Sequence, residues 1–232
     1  MALGYDGTEM ILAESGGIRA LYSSDQSVLL DFGNGPDADV RRRIAAAVRN
    51  LSSAPVTGLV NLHPAYRSIL AVLDPVVLSP YSAAEQLLDR LSAPGTSPGE
   101  TLPRRRVEIP VRYGGGDGPD LDWVAAHHRV APAEIVARHS SVDYEVCFLG
   151  FAPGFAYLAG LPASLATPRL DSPRKLVPAG SVGIAGTQTG VYPAPSPGGW
   201  RLIGRTETVL FDPRRNPMSL LSPGDLVRFV PE

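Results

Sequence analysis

Between Gly150 and Thr206 the sequence repeatedly sets glycine close to arginine, lysine or an aromatic residue. The stretch runs Gly150-Phe151-Ala152-Pro153-Gly154-Phe155-Ala156-Tyr157-Leu158, then Pro168-Arg169 and Pro173-Arg174-Lys175. It continues through Val177-Pro178-Ala179-Gly180-Ser181-Val182, Ser196-Pro197-Gly198-Gly199-Trp200 and Gly204-Arg205-Thr206. Glycine lets backbone amides approach a ligand closely, and guanidinium and ammonium groups donate charge-assisted hydrogen bonds to carboxylate or phosphate. The pattern describes an anion site built from loops. Taken one at a time, plain turns and solvated surface arginines account for the same residues.

Other side chains carry the same double reading. His139 follows Ile135 by one helical turn and precedes the apolar run that opens at Tyr144. It suits a proton carrier, since an imidazole titrates near neutrality, or a helix-terminal histidine bonded to backbone. Gln188, Thr189 and Tyr192 lie in a glycine-bounded loop where they can bond an amide or a base, or simply build a hairpin. Trp200 serves as a pocket wall, as a docking point for a partner chain or as core, and Phe151, Phe155 and Tyr157 carry the same alternatives. His127 and His128 are adjacent and read as rim residues, and His63 before Pro64 reads as a loop residue. Four scattered histidines and one cysteine give no zinc spacing. Cys147, inside Val146-Cys147-Phe148-Leu149, is expected to be a buried thiol. There is no Gly-x-x-x-x-Gly-Lys-Ser/Thr loop, and Gly114-Gly115-Gly116-Asp117-Gly118 fits neither that loop nor a dinucleotide fingerprint. No Gly-x-Ser-x-Gly elbow appears, which argues against a self-contained serine hydrolase.

Such loops need a scaffold, and 232 residues with 44% apolar content can supply one large or two modest cores. Twenty-one basic residues nearly cancel 23 acidic ones, so no global field draws the chain to nucleic acid or an anionic membrane. No apolar run approaches the roughly 20 residues of a membrane span, and no secretory pattern opens the chain. Together with the single cysteine this predicts a soluble, cytoplasmic protein without an internal disulfide. Twenty-four glycines and 23 prolines punctuate hydrophobic segments, which implies short strands and tight turns.

The first 93 residues are expected to form one domain. Ser27 to Phe32 reads as a buried strand, and Val40, Ile44, Ala47, Val48 and Leu51 recur at helical spacing. Val56 to Asn61 and Ser68 to Leu73 read as strands around a loop holding His63-Pro64. A second helix carries the stripe Ala84, Leu87, Leu88 and Leu91, with Ser82 and Glu85 at capping-box spacing. With a strand near Val107 to Val111, this order matches a ferredoxin-like βαββαβ unit within an α+β fold. Residues 94–103, rich in Pro, Gly and Ser, are the expected linker, and 104–232 the second domain. There, helices are expected over Leu121 to His128, capped at Asp120, and from Pro132 to about His139. Beyond them come short strands at Tyr144 to Phe151, Gly180 to Ala185, Trp200 to Ile203, Val209 to Phe211 and Leu226 to Val230, as in a compact barrel or sandwich.

The Gly150 to Thr206 stretch resembles the signature of the family that includes the 5-oxoprolinase B subunit, allophanate hydrolase subunit 1 and an inhibitor of a sporulation histidine kinase. The resemblance extends through Ile109-Pro110-Val111, Gly118-Pro119-Asp120-Leu121, His139 to Tyr144 and Leu221 to Phe229, and more loosely through Asp31-Phe32-Gly33 and Tyr66 to Leu70. It implies a cyclophilin-like β-barrel for the second domain. It also implies the smaller subunit of an ATP-dependent complex that opens a lactam or amide through a phosphorylated intermediate. ATP, with Mg, is then a co-substrate and no tightly bound cofactor is expected. The site is shared with a larger companion subunit, of the type of the 5-oxoprolinase C subunit or allophanate hydrolase subunit 2, so the chain alone is inactive. Phosphoryl transfer asks mainly for positioned positive charge. On that reading His139, Arg169, Arg174 and Lys175 are catalytic candidates, and Phe155, Tyr157, Gln188, Tyr192, Trp200 and Arg205 bind substrate. The alternative is a regulatory module that inhibits a sensor histidine kinase; a prolyl isomerase rests on the implied fold alone.

Overall fold

The computed structural model describes residues 4–5, 10–34, 37–54, 56–92 and 104–232. The chain divides into two compact units, Met1–Leu102 and Pro103–Glu232. The linker expected at 94–103 lies outside the described residues.

The first unit contains β1 (Gly4–Tyr5), β2 (Met10–Ser15), β3 (Ile18–Ser24), β4 (Ser27–Asp31), α1 (Asp37–Ser53), β5 (Leu59–Pro64), β6 (Ser68–Leu73) and α2 (Pro80–Ser92). Its strands form one antiparallel sheet in the order β1-β2-β3-β4-β6-β5. Val40, Ile44, Ala47 and Leu51 of α1 share one core with Ala84, Leu87 and Leu88 of α2 and with Leu30 and Ile69, which are paired across β4 and β6. The helical spacing that identified these stripes is what lets them bury together.

Four expectations change here. The strand around Val107 to Val111 belongs to the second unit, and the place beside β4 is taken instead by β3, from a hairpin that turns on Gly16 and Gly17. Both of those glycines have positive φ, as a tight hairpin turn requires. His63 and Pro64 are not in a loop but end β5, and because β5 is an edge strand the missing proline N–H breaks no ladder. The strand itself starts three residues later than expected, at Leu59. Helix α2 is capped by Ser79, whose Oγ accepts the Ser82 N–H at 3.2 Å, with Pro80 in the first turn, so Ser82 is inside the helix.

The second unit contains β7 (Arg106–Tyr113), α3 (Leu121–His128), α4 (Pro132–Ser140), β8 (Tyr144–Leu149), β9 (Ala156–Ala159), β10 (Arg174–Val177), β11 (Ser181–Ala185), β12 (Gln188–Val191), β13 (Ser196–Gly198), β14 (Arg201–Arg205) and β15 (Leu226–Pro231). Seven strands close into a barrel in the order β11-β12-β9-β8-β15-β7-β14, while β10 and β13 pair separately. Only β7 and β15 run parallel in the barrel; its other pairs are antiparallel. Ile109, Val182, Ile184, Ile203 and Phe229 fill the interior with Val124 and Ile135 from the two helices. Val209 to Phe211 forms no strand; Phe211 makes one isolated bridge to Ser219. Cys147 is half-buried rather than buried, because β8 alternates and turns its odd-numbered residues off the core. Among the described residues no helix is long and apolar enough to cross a membrane.

Candidate active site

Strand alternation gives the barrel two chemically distinct faces. Val182, Ile184 and Val191 point inward, so Gly183, Gly190 and Tyr192 point out. Gly183 and Gly190 are register partners. With no side chains of their own, they leave a seat for large rings: a Cβ on Gly190 would lie 3.4 Å from both Phe155 and Trp200, and one on Gly183 would lie 3.1 Å from Trp200. Phe155, Tyr192 and Trp200 therefore form a second apolar cluster with Val177, Ala185 and Leu202, and Tyr157 packs against it. Phe155 stands edge-on to Tyr157 at 5.0 Å and to Tyr192 and Trp200 at 5.7 Å each. This is a favourable geometry for aromatic pairs.

The paired strands β10 and β13 bring the cationic residues to this face. Arg174 is opposite Gly198 in register, and its guanidinium donates to the Trp200 carbonyl at 3.3 Å and to Asp120 Oδ1 at 2.8 Å. Asp120 Oδ2 accepts the Leu202 N–H at 2.7 Å. Asp120 does occupy the residue before α3, but its carboxylate makes no cap bond. Both oxygens serve β14 and Arg174 instead, a role local spacing could not reveal. Arg169 is placed by its neighbour Leu170, whose N–H donates to the Gly199 carbonyl at 2.8 Å.

Tyr192 records the result electrostatically. Burial raises its phenol pKa, while a backbone hydrogen bond with Trp200 and the positive charges of Arg169 and Arg174 pull the other way. The phenol stays protonated at neutral pH, within electrostatic reach of two guanidinium groups. A neutral O–H donor beside two cations suits an anionic group that also offers hydrogen-bond acceptors.

The turn before β9 adds a feature not included among the expected contacts. Phe151 has φ +69, and the Ala152 N–H donates to the Gly150 carbonyl across it at 2.8 Å. This is a γ-turn that L-residues adopt only under strain. Its ring is 63% exposed yet lies edge-on to Phe155 at 5.3 Å. A strained turn holding a large apolar ring in solvent is spent on something other than the core.

The remaining expected residues fall elsewhere. Gln188 lies on the same outer face as Gly190 and Tyr192 by alternation. Lys175 is exposed on β10, and among the described residues it makes no hydrogen bond or ion pair. Arg205 closes the far end of β14 from Arg201, with its Nε donating to the Ala179 carbonyl at 3.1 Å. His139 is fully buried in the barrel core, stacked on Phe229 at 4.6 Å. Thr189 donates its hydroxyl to the Gly183 carbonyl, so it must accept from His139 Nε2, and Nδ1 then accepts from the Tyr113 hydroxyl; both ring contacts are 2.8 Å. Burial lowers the His139 pKa to about 3. A neutral, fully buried ring with both nitrogens engaged by side-chain hydroxyls, not by backbone as the simpler expectation had it, is poorly suited to carry a proton, and Thr189 is its partner rather than a ligand contact. Among the described residues no group of three or more His, Cys, Asp or Glu is placed to hold a metal ion.

Comparison with known proteins agrees with this architecture. Residues 18–221 match the family model of the carboxyltransferase domain, subdomain C and D. The chain is 48% identical over 193 residues to the 5-oxoprolinase B subunit of Escherichia coli O157:H7, covering 83% of this chain and 86% of that protein. It is 40% identical over 215 residues to the 5-oxoprolinase B subunit of Bacillus subtilis strain 168, covering 89% of each. Among solved structures it superposes on TTHA0988 with a TM-score of 0.77 at 40% identity, over 89% of this chain and 40% of that longer one. With the family model spanning both units and two relatives of the same name matched over most of their length, the chain belongs to the carboxyltransferase subdomain C and D family, within its group of 5-oxoprolinase B subunits.

Proposed function

We propose that this chain is the smaller subunit of an ATP-dependent enzyme that opens a cyclic amide of the 5-oxoproline kind, with a site completed by a larger partner chain. One observation carries the reading: Arg169 and Arg174 both act on the Tyr192 phenol, beside the wall of Phe151, Phe155, Tyr157 and Trp200, in a chain 40–48% identical to 5-oxoprolinase B subunits.

The chemistry suits those groups. An amide resists hydrolysis because its carbonyl is stabilised by the nitrogen. Transfer of the γ-phosphoryl group of ATP to the amide oxygen removes that resistance; one water then adds to the carbon, the C–N bond breaks as the nitrogen leaves with a proton, and a second water cleaves the resulting acyl phosphate to carboxylate and phosphate. Charge develops on the transferring phosphoryl oxygens, and fixed guanidinium groups stabilise it without reorganising during the step. Arg174, held by Asp120, is already fixed. Arg169 and the Tyr192 O–H supply further donors, and the aromatic wall excludes water from one side of the substrate. Mg arrives with the nucleotide phosphates.

The finer fold readings belong to the same proposal. The order β3-β4-β6-β5 with α1 and α2 is that of a ferredoxin-like sheet whose last strand comes from upstream, and the closed barrel is cyclophilin-like.

The test is to co-purify this chain with the larger chain encoded beside it and follow ATP-dependent loss of 5-oxoproline. Activity only with both chains, and its collapse in Arg169→Gln, supports the proposal. Turnover by this chain alone, or a fully active Arg169→Gln complex, refutes it.

A further inference from the structure

Nearly every half-buried arginine of the second unit is answered by an acceptor. Arg112, Arg138, Arg174 and Arg228 each pair with a carboxylate, and Arg215 donates to the backbone carbonyls of Val209, Leu210, Pro217 and Met218. Arg201 is the exception. Among the described residues it makes no hydrogen bond or ion pair, and what holds it is the Trp123 ring, whose centroid lies 3.4 Å from the guanidinium carbon. Its Nε is buried without a partner, whereas the two terminal nitrogens reach the surface. The charge is thus fixed in place and left open at the edge where a carboxylate would approach it.

Strand register dictates this position. Arg201 is paired with Ile184, a residue of the barrel core, so it begins β14 on the inward side, at the end where Asp120 and α3 pack. A guanidinium cannot remain in an apolar core, and here it leaves over the indole. Trp123 in turn stacks on His127, one turn later on α3, with ring centroids 5.1 Å apart and planes 10° from parallel. Despite both contacts the indole is 41% exposed. The pair also adjoins the candidate site. On either side of Arg201 stand Trp200, whose carbonyl accepts from Arg174, and Leu202, whose N–H donates to Asp120.

Two kinds of anion suit Arg201, a free small molecule or a side chain of another protein. A small molecule needs walls on several sides, and the outer face of a helix is convex, whereas a protein brings its own wall. An exposed Trp beside an unpaired Arg is also the composition of an interface anchor. We propose that Trp123 and Arg201 form a docking point for an acidic side chain, Asp or Glu, of the larger partner chain. This rests on the two-chain reading above and locates one place on this chain where that partner is held. The carboxylate pairs with the terminal nitrogens of Arg201, and apolar atoms beside it cover the exposed part of Trp123. Because the guanidinium is already stacked, little side-chain freedom is lost when the pair forms.

The test titrates the larger chain encoded beside this one into the full chain by calorimetry, and follows ATP-dependent loss of 5-oxoproline with the same samples. Arg201→Gln and Trp123→Ala should each weaken the complex at least about tenfold, and the double variant by less than the product of the two, because the indole acts partly through the guanidinium. Raising sodium chloride from about 0.05 to about 0.5 M should weaken the parent complex more steeply than the Arg201→Gln complex. At saturating larger chain the variants should turn over like the parent, since the pair docks and does not react. Thermal midpoints show which variants are folded, and the exposed Trp123 supplies the second variant should Arg201→Gln unfold. Folded variants that bind with parent affinity overturn the docking point and leave the two-chain reading standing. A change confined to self-association of this chain assigns the pair to a second copy and overturns it too, as does lost turnover at parent affinity. Absence of any complex between the parent chains refutes both.

Discussion

Asp120 and Arg174, 54 residues apart in sequence, meet at 2.8 Å, and the other Asp120 oxygen takes the backbone N–H of Leu202. One carboxylate thus ties the start of α3, the strand that follows Trp200 and a guanidinium at the candidate site into a single unit. Removing it leaves a buried amide without an acceptor and a partly buried cation without its anionic partner. Asp120→Ala should cost about 2–4 kcal/mol of stability in the second unit, measured by urea unfolding. Asp120→Asn, which still accepts from Leu202, should cost less but free Arg174, and so lower activity of the proposed two-chain enzyme. Equal stability of Asp120→Ala and the parent would show that the pair does not organise this region.

Phe151 separates strain from function. Glycine adopts positive φ without penalty, and a 63% exposed ring contributes little to the core. Phe151→Gly should leave the thermal midpoint of the isolated chain unchanged or slightly raised while lowering activity with the larger chain. A marked drop in the midpoint would assign the ring a structural role instead.

Tyr192 can be displaced without touching it. A Cβ on Gly198 would lie 2.4 Å from the Tyr192 hydroxyl, too close to coexist, so Gly198→Ala must push the phenol away from Arg169 and Arg174. Activity should fall on the order of tenfold to a hundredfold, as when one fixed donor is lost, and Tyr192→Phe should fall by a similar factor because both remove the same O–H. The double variant should be little worse than either single one, which steady-state kinetics of the two-chain enzyme would check.

Acid should weaken the barrel through His139. Its folded pKa of about 3 lies below the unfolded value of 6.5, so the unfolded chain binds the proton first. Stability is therefore intact above about pH 6.5 and falls as pH drops toward 3, by about 1.4 kcal/mol per unit within that window. Urea midpoints at pH 7 and 5 should differ by that slope, and His139→Gln, which keeps a donor for Thr189 and an acceptor for Tyr113, should flatten it. Asp143, whose pKa is lowered chiefly by its hydrogen bond from Arg228, contributes in the same direction and remains in the variant.

What was legible in the sequence follows from distance along the chain. Helix α1 and strand β6 were plain because Val40, Ile44, Ala47 and Leu51, or Ile69, Ala71 and Leu73, repeat at their own period. Strands β9, β10, β12 and β13 were not, since three or four residues containing or flanked by Gly and Pro are too short for alternation to register. The aromatic and arginine contacts were readable as types but not as neighbours. Trp200 meets Phe155 only because Gly183 and Gly190 clear a seat on two other strands, and nothing local encodes that. His139 stayed open between two readings for the same reason: the Tyr113 and Thr189 hydroxyls that enclose it come from 26 residues before and 50 after.

The parallel pairing of β7 with β15 sets an order of events at the ribosome. β7 spans 106–113 and β15 spans 226–231, so the ring of strands cannot close until nearly all of the unit has emerged. Until then β7 and β8 each keep an unzipped flank, with Ile109 and Tyr144 denied their cover of Phe229. A nascent chain in that condition is adhesive, and premature truncation within 226–231 would yield material that aggregates instead of a slightly weakened protein.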